Sequence, residues 1–98
     1  MPRKAIFAAI EEERSYQDRK YGPVLVDPAN HTGQGPGGHE LGAWCLVLRK
    51  ELHEAEDAVI HGGFQHARGR NSVRAELVQI AAVAVAALEQ HGLEEDDS

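Results

Sequence analysis

The segment Leu77-Val-Gln-Ile-Ala-Ala-Val-Ala-Val-Ala-Ala-Leu88 decides the fold, because it is apolar at every position except Gln79. A helix that is apolar all round is buried on all sides. A chain of 98 residues forms one domain and cannot easily wrap such a helix completely. The alanines of the segment permit close approach of another helix. The sequence therefore predicts an all-α fold, a bundle of about three main helices per chain that homo-oligomerisation completes.

Two further helices precede this segment. The first is predicted from about 2 to 20, and its second half is almost wholly polar, so that half is either exposed or carries functional side chains. The second is predicted from about 39 to 61, where apolar residues recur at three- and four-residue steps. Its apolar stripe comprises Leu41, Trp44, Cys45, Leu48, Leu52, Ala55 and Val59. The third helix is predicted from a cap at Asn71 or Ser72 to about His91.

The domain organisation follows from these helices. We expect a single helical domain over residues 1–93, with a glycine-rich loop at about 22–38 and an acidic, disordered tail over 94–98. The loop lacks the Lys-Ser/Thr pair of a phosphate-binding loop, so it is interpreted as a mobile linker.

Charge and composition exclude several classes of protein. The net charge is −6, and four of the negative charges belong to the tail, which leaves −2 on the rest of the chain. A near-neutral body argues against duplex nucleic acid as a partner. A single cysteine excludes an internal disulfide framework. No apolar run reaches the roughly 18 residues of a spanning helix, and the first residues do not resemble a signal peptide. We therefore expect a cytoplasmic protein without a membrane partner.

Two polar pairs border the predicted core. Glu51 and Glu54 lie three residues apart on the second helix, and Glu76 and Gln79 lie three apart on the third. Three carboxylates that converge in an apolar bundle repel one another unless a cation neutralises them. Carboxylate and water ligands suit Mg²⁺ best, with Mn²⁺ as a substitute. The alternative is that the glutamates are solvated and that Glu76 is favoured by the dipole of its helix.

The order and spacing of these pairs resemble a known family. Glu51-Leu-His-Glu54, then twenty-one residues, then Glu76-Leu-Val-Gln79 resembles the E-x-x-E…E-x-x-D signature of the MazG-like, all-α nucleoside triphosphate pyrophosphohydrolases. The stretch from Glu13 to Gly22 is similar to the opening helix of small members. The resemblance covers residues from about 10 to 92.

The resemblance implies an activity and a ligand set. Such proteins are helical dimers or tetramers that use Mg²⁺ to cleave a nucleoside triphosphate between the α and β phosphates, which gives a monophosphate and pyrophosphate. Glu51, Glu54 and Glu76 would be metal ligands, and Glu54 would accept the proton of the attacking water. Gln79 stands where an Asp is expected, and its amide oxygen could coordinate without adding charge. Lys50 occupies a position often held by a further Glu.

The substrate would need cations along its phosphates and contacts elsewhere. The candidate substrate-binding residues are Lys20, Arg68, Arg70, Arg74, Gln17 and Tyr21. Two other functions stay open. One is a catalytically weak module that binds nucleotides, and the other is a structural or regulatory helical dimer.

Overall fold

Three α-helices make up the fold. The computed structural model describes residues 1–24, 38–62 and 72–94. Within these ranges α1 spans Arg3–Tyr21, α2 spans Leu41–Gly62 and α3 spans Val73–His91, with no strand. The predicted all-α class is confirmed, and each helix begins and ends within two residues of the predicted bounds. Most of the predicted glycine-rich loop and of the acidic tail lies outside the described ranges.

Local chemistry explains where the helices begin and end. The hydroxyl oxygen of Ser72 accepts a hydrogen bond of 3.1 Å from the backbone N–H of Ala75, which caps α3 at its first turn. Gly22 follows α1 with φ 90°, and Gly92 follows α3 with φ 78°. Glycine adopts these positive angles without strain, so it ends both helices cleanly.

The third helix forms the centre of the molecule. It packs against both α1 and α2, whereas the described parts of α1 and α2 do not pack against each other. The core is a cluster of Trp44, Val83, Ala86 and Ala87, and the indole N–H of Trp44 donates to the side-chain oxygen of buried Gln90 at 3.0 Å. This core is small, because alanine and valine side chains bury little apolar area.

The apolar stripe of α2 is only partly buried. Trp44 and Ala55 of its apolar stripe are buried, but Leu41, Cys45 and Leu52 are exposed. In the single chain the stripe therefore faces the core only in part. The physical reason is that, of the described helices, only α3 packs against α2, and one helix shields only part of a stripe this wide.

The first helix reverses the usual amphipathic pattern. Its apolar Ile6 and Phe7 are exposed by 42% and 61%, and the buried residue of the helix is Arg14, at 5%. The polar half of α1 thus makes its main contact with the rest of the molecule. Among the helices described, none combines the length and the apolar character that crossing a membrane requires.

Candidate metal centre

A cavity of about 920 Å³ opens between the three helices. Its volume lies in the range of small-molecule binding sites. Seven of the predicted site residues line it, namely Gln17, Lys20 and Tyr21 of α1, Glu51 and Glu54 of α2, and Glu76 and Gln79 of α3. The fold therefore brings the predicted acidic residues and part of the predicted substrate-binding set to one place.

Three carboxylates meet on the α2–α3 side of the cavity. One oxygen from each of Glu51, Glu54 and Glu76 can be chosen so that all three atoms lie within 4.8 Å of one another. Glu51 and Glu54 are neighbours on one face of α2, and Glu76 lies in the first turn of α3 beside its cap. A separation of this size suits ligand atoms around a single cation.

Two of these carboxylates have oxygens without a partner. Among the described residues, Oε2 of Glu51 and Oε2 of Glu76 are buried and accept no hydrogen bond. Glu76 as a whole is only 5% exposed. A buried carboxylate oxygen without a partner is costly, and carboxylate oxygens are the donors that hard divalent cations prefer. The donor set therefore fits Mg²⁺.

Burial and the neighbouring carboxylates raise the pKa of two members of the cluster, Glu51 and Glu76. Burial, then repulsion from Glu54, a hydrogen bond shared with Glu54 and repulsion from Glu76 raise the pKa of Glu51 to about 7, against a small opposing effect of Lys50. Burial, then the charges of Glu54 and Glu13, also raise the pKa of Glu76. The folded protein without a cation therefore disfavours the charged forms of these two groups.

This shift predicts how stability depends on pH in the absence of divalent cations. The pKa of Glu51 is about 7 in the folded chain against an ordinary 4.5, so its contribution to stability is fully present below pH 4.5 and is lost as the pH rises through 7. We expect urea unfolding in EDTA to give a free energy that falls from pH 5 to pH 8, and to fall less in Glu51→Gln. Equal slopes for the two proteins would contradict the coupling between the carboxylates.

A network of hydrogen bonds fixes the α1 side of the cavity. The guanidinium of Arg14 donates to both carboxylate oxygens of Glu89 on α3, at 3.0 and 2.9 Å, and to Asp18 at 2.9 Å. It also donates to the side-chain oxygen of Gln17 at 3.2 Å, and the Gln17 amide donates to Glu13 at 3.3 Å. Sequence reasoning assigned no role to Arg14, Glu13 or Glu89; the polar half of the first helix was a signal for Arg14 and Glu13, and no signal marked Glu89 on α3.

Only some of the lysine and arginine side chains predicted to bind substrate line the cavity. Lys20 lines the cavity, with its ammonium nitrogen 5.1 Å from the ring centre of Tyr21. Lys50 lines the cavity as well, and sequence reasoning had not proposed it as a substrate contact. Arg74 is exposed on α3 and is not among the described residues that line the cavity. Arg68 and Arg70 lie outside the described ranges.

An aromatic pair lines another part of the cavity. Trp44, which the sequence placed in the core, is buried and also lines the cavity, and the ring of His39 meets it edge-on with centroids 4.7 Å apart. Gln90 positions both residues, because its side-chain oxygen accepts from the His39 backbone N–H and from the Trp44 indole, each at 3.0 Å. The cavity thus joins an acidic cluster, two lysines and an aromatic wall.

No protein-family model, curated protein or solved structure gives a significant match to the chain. The function is therefore inferred from the chemistry of the cavity and from the motif spacing.

Proposed function

We propose that the chain is a Mg²⁺-dependent nucleoside triphosphate pyrophosphohydrolase that cleaves between the α and β phosphates. One observation carries the proposal: one oxygen from each of three carboxylates on two helices lies within 4.8 Å of the others at a cavity of about 920 Å³, and two of these carboxylates have a buried oxygen without a partner among the described residues. A surface cluster of solvated glutamates would not leave Glu76 buried, with one carboxylate oxygen that has no hydrogen-bond partner among the described residues. The alternative of a purely structural dimer gives no reason for this convergence. A reaction on nucleotides and a single cysteine also favour a cytoplasmic location.

The carboxylates would hold the cation. Glu51, Glu54 and Glu76 would supply the charged ligands, and Gln79, whose side chain carries an amide oxygen, lines the same cavity. A divalent cation bound there would supply positive charge for the phosphate oxygens and would favour ionisation of an adjacent water. These two contributions are what attack on a phosphoryl centre mainly requires.

Other residues of the cavity would act on the substrate directly. Lys20 and Lys50 bring positive charge to the cavity and can attract the phosphate chain. Glu54, with a carboxylate in the cluster, is suited to accept the proton of the attacking water. Tyr21 offers an exposed ring for stacking or van der Waals contact with the substrate.

The proposal is tested by a screen for pyrophosphate release over the common and deoxy nucleoside triphosphates, with Mg²⁺ and with EDTA. We expect at least one substrate to give equal amounts of nucleoside monophosphate and pyrophosphate, only when Mg²⁺ is present. Binding of nucleotide and Mg²⁺ without turnover would favour the catalytically weak binding module, for which the neutral Gln79 is the supporting observation. If the protein shows no nucleotide binding and no turnover, the proposal is refuted.

We also propose that a second copy of the chain covers the outer face of α3. Leu77, Ala81, Ala84 and Leu88 recur at steps of four, three and four residues, and Leu77 and Leu88 are exposed by 54% and 49%. This spacing is typical of a helix that packs along another helix, and the small alanines allow close approach. The core of a single chain is small, so burying this face against a second copy would add to its stability.

The proposed interface is tested by introducing a charge on it. We expect the wild type to sediment as a dimer or tetramer of the 10.7 kDa chain and Leu88→Glu to shift it toward the monomer, since a buried unpaired charge is costly. Leu46→Glu is the matched control, because Leu46 is exposed by 67% on α2. A monomeric wild type, or an unchanged assembly in Leu88→Glu, would contradict the proposed interface.

A further inference from the structure

The cavity has two chemically different ends. Glu51 meets Glu76 in the acidic cluster, whereas Trp44 contacts Gln90, so α2 and α3 run in opposite directions along the cavity. A rise of about 1.5 Å per residue places Trp44 about 10 Å along α2 from Glu51. The lining around Trp44 is made of the ring of His39 and of the aliphatic residues Val47, Val83 and Ala86. A ligand that fills the cavity therefore meets charge at one end and an apolar wall at the other.

A buried glutamine of α3 fixes the aromatic end. Gln90 is 1% exposed, and its Oε1 accepts from the backbone N–H of His39 and from the indole N–H of Trp44, each at 3.0 Å. Both partners are donors, so the oxygen of the amide and not its nitrogen must face them. The nitrogen Nε2 is buried and has no hydrogen-bond partner among the described residues. The two contacts of the oxygen are therefore what this amide contributes.

The next residue along α3 holds His39 through its other backbone group. His91 is 5% exposed, and its Nε2 donates to the backbone carbonyl oxygen of His39 at 2.9 Å, since a carbonyl oxygen can only accept. The backbone N–H and C=O of His39 are thus both bound by the end of α3. His39 itself is exposed and lines the cavity, with its ring edge-on to Trp44. Buried groups therefore hold an exposed ring at the cavity.

The imidazole of His39 is the polar group that this end presents to a ligand. The aliphatic residues of the wall have no polar side-chain atoms, and Gln90 takes the indole N–H of Trp44. An imidazole has two ring nitrogens that can hydrogen-bond to the edge of a heterocycle, and apolar walls favour a flat, weakly hydrated ring. This end of the cavity therefore suits a planar heterocycle better than a phosphate.

We propose that the His39–Trp44 end of the cavity is the subsite for the nucleobase, where His39 contacts the base and Gln90 is a positioning residue. This inference rests on the proposed function, because it assumes that the phosphates lie at the acidic cluster. The sugar and the α phosphate lie between a base and the bond that is cleaved, so the base extends along the cavity away from the cluster. His39 then determines the affinity for the nucleoside part and not for the phosphate chain.

The substitution His39→Ala separates these two parts of the substrate. We expect its KM for the nucleoside triphosphate that is cleaved best to rise about 10-fold, the size expected for one hydrogen bond and one ring contact, with kcat nearly unchanged. The inhibition constant of tripolyphosphate, which has no base, should equal that of the wild type. His53→Ala is the matched control, because the His53 side chain is 64% exposed on α2 and is not among the described residues that line the cavity.

The role of Gln90 is tested by two further substitutions. Gln90→Met leaves two donors without their acceptor, so it should raise KM in the same way and also lower the melting temperature. Gln90→Glu keeps oxygen atoms for both donors and should give a KM close to that of the wild type. A wild-type KM in Gln90→Met, measured below its melting temperature, would overturn the positioning role. His39→Ala tests the subsite whether or not Gln90→Met folds.

The fluorescence of Trp44 gives a direct readout, because the chain has a single tryptophan. We expect the nucleoside monophosphate product to change this emission, and pyrophosphate, which has no base, to leave it unchanged. Cleavage of nucleotides with unchanged emission and with a wild-type KM in His39→Ala would overturn the subsite and leave the proposed function standing. If the wild type neither binds nor cleaves any nucleotide, both are overturned.

Discussion

Glu51→Gln is expected to lower Mg²⁺-dependent pyrophosphate release by about 100-fold or more at pH 8. The carboxylate of Glu51 is one of three whose oxygens converge within 4.8 Å, and its Oε2 has no hydrogen-bond partner among the described residues. The amide keeps the size of the side chain but loses the charge that attracts a cation. The measurement is the initial rate of pyrophosphate formation over a range of Mg²⁺ concentrations.

The same substitution is expected to stabilise the metal-free protein. Removing a partly buried charge that two other carboxylates repel should raise the free energy of unfolding by about 1 kcal/mol at pH 8. Urea unfolding in EDTA measures this change. A gain in stability with a loss of activity is the mark of a site selected for binding. Solvated surface glutamates would show neither effect.

Glu56→Gln provides the matched control for both measurements. Glu56 lies on the same helix, its side chain is 59% exposed, and it is not among the residues described around the cavity. We expect its activity and stability to match the wild type. Activity of Glu51→Gln at the wild-type level would refute the assignment of the site.

The second large effect concerns the buried guanidinium on α1. We expect Arg14→Met to lower the free energy of unfolding by about 2 kcal/mol, because it removes the hydrogen bonds that the buried guanidinium donates to the partly exposed carboxylates of Glu89 and Asp18. Arg14 is 5% exposed and makes four hydrogen bonds, two of them to Glu89 on α3. Chains of this size have a total stability of only about 5–15 kcal/mol, so the loss is severe.

Urea unfolding measures this loss, provided that the free energy of unfolding has the same slope against urea concentration in both proteins. Arg14→Lys should recover little of it, because one ammonium cannot reproduce the paired contact with the Glu89 carboxylate. Arg19→Met is the control, since Arg19 is exposed on the same helix and should change stability by less than about 0.5 kcal/mol. A similarly small change in Arg14→Met would show that the network contributes little.

Patterns within single helices were predicted from the sequence. The bounds of α1, α2 and α3 follow from periodicity and from local signals such as Ser72 and Gly92, which act within a few residues. The sequence also predicted that Glu51 and Glu54 lie close to Glu76. These residues border the apolar faces through which α2 and α3 pack together.

Contacts between distant parts of the chain were not predicted. Arg14 and Glu89 are 75 positions apart, and no local pattern in the sequence marks them as partners. The exposure of Leu41 and Leu52 depends on how α2 is rotated against α3, which a broad apolar stripe does not determine. Likewise, charge alone could not separate Lys20, which lines the cavity, from Arg74, which is not described as lining it.

The most direct test of the account is a calorimetric titration of the metal-free protein with Mg²⁺ at pH 8, for the wild type and Glu76→Gln. Glu76 is a buried member of the carboxylate cluster, and one of its oxygens has no hydrogen-bond partner within the part of the chain that the structure describes. We predict saturable uptake of Mg²⁺ by the wild type and at least a 10-fold weaker uptake by Glu76→Gln. No uptake by the wild type, or equal uptake by the two proteins, would contradict the cation site and the activity built on it.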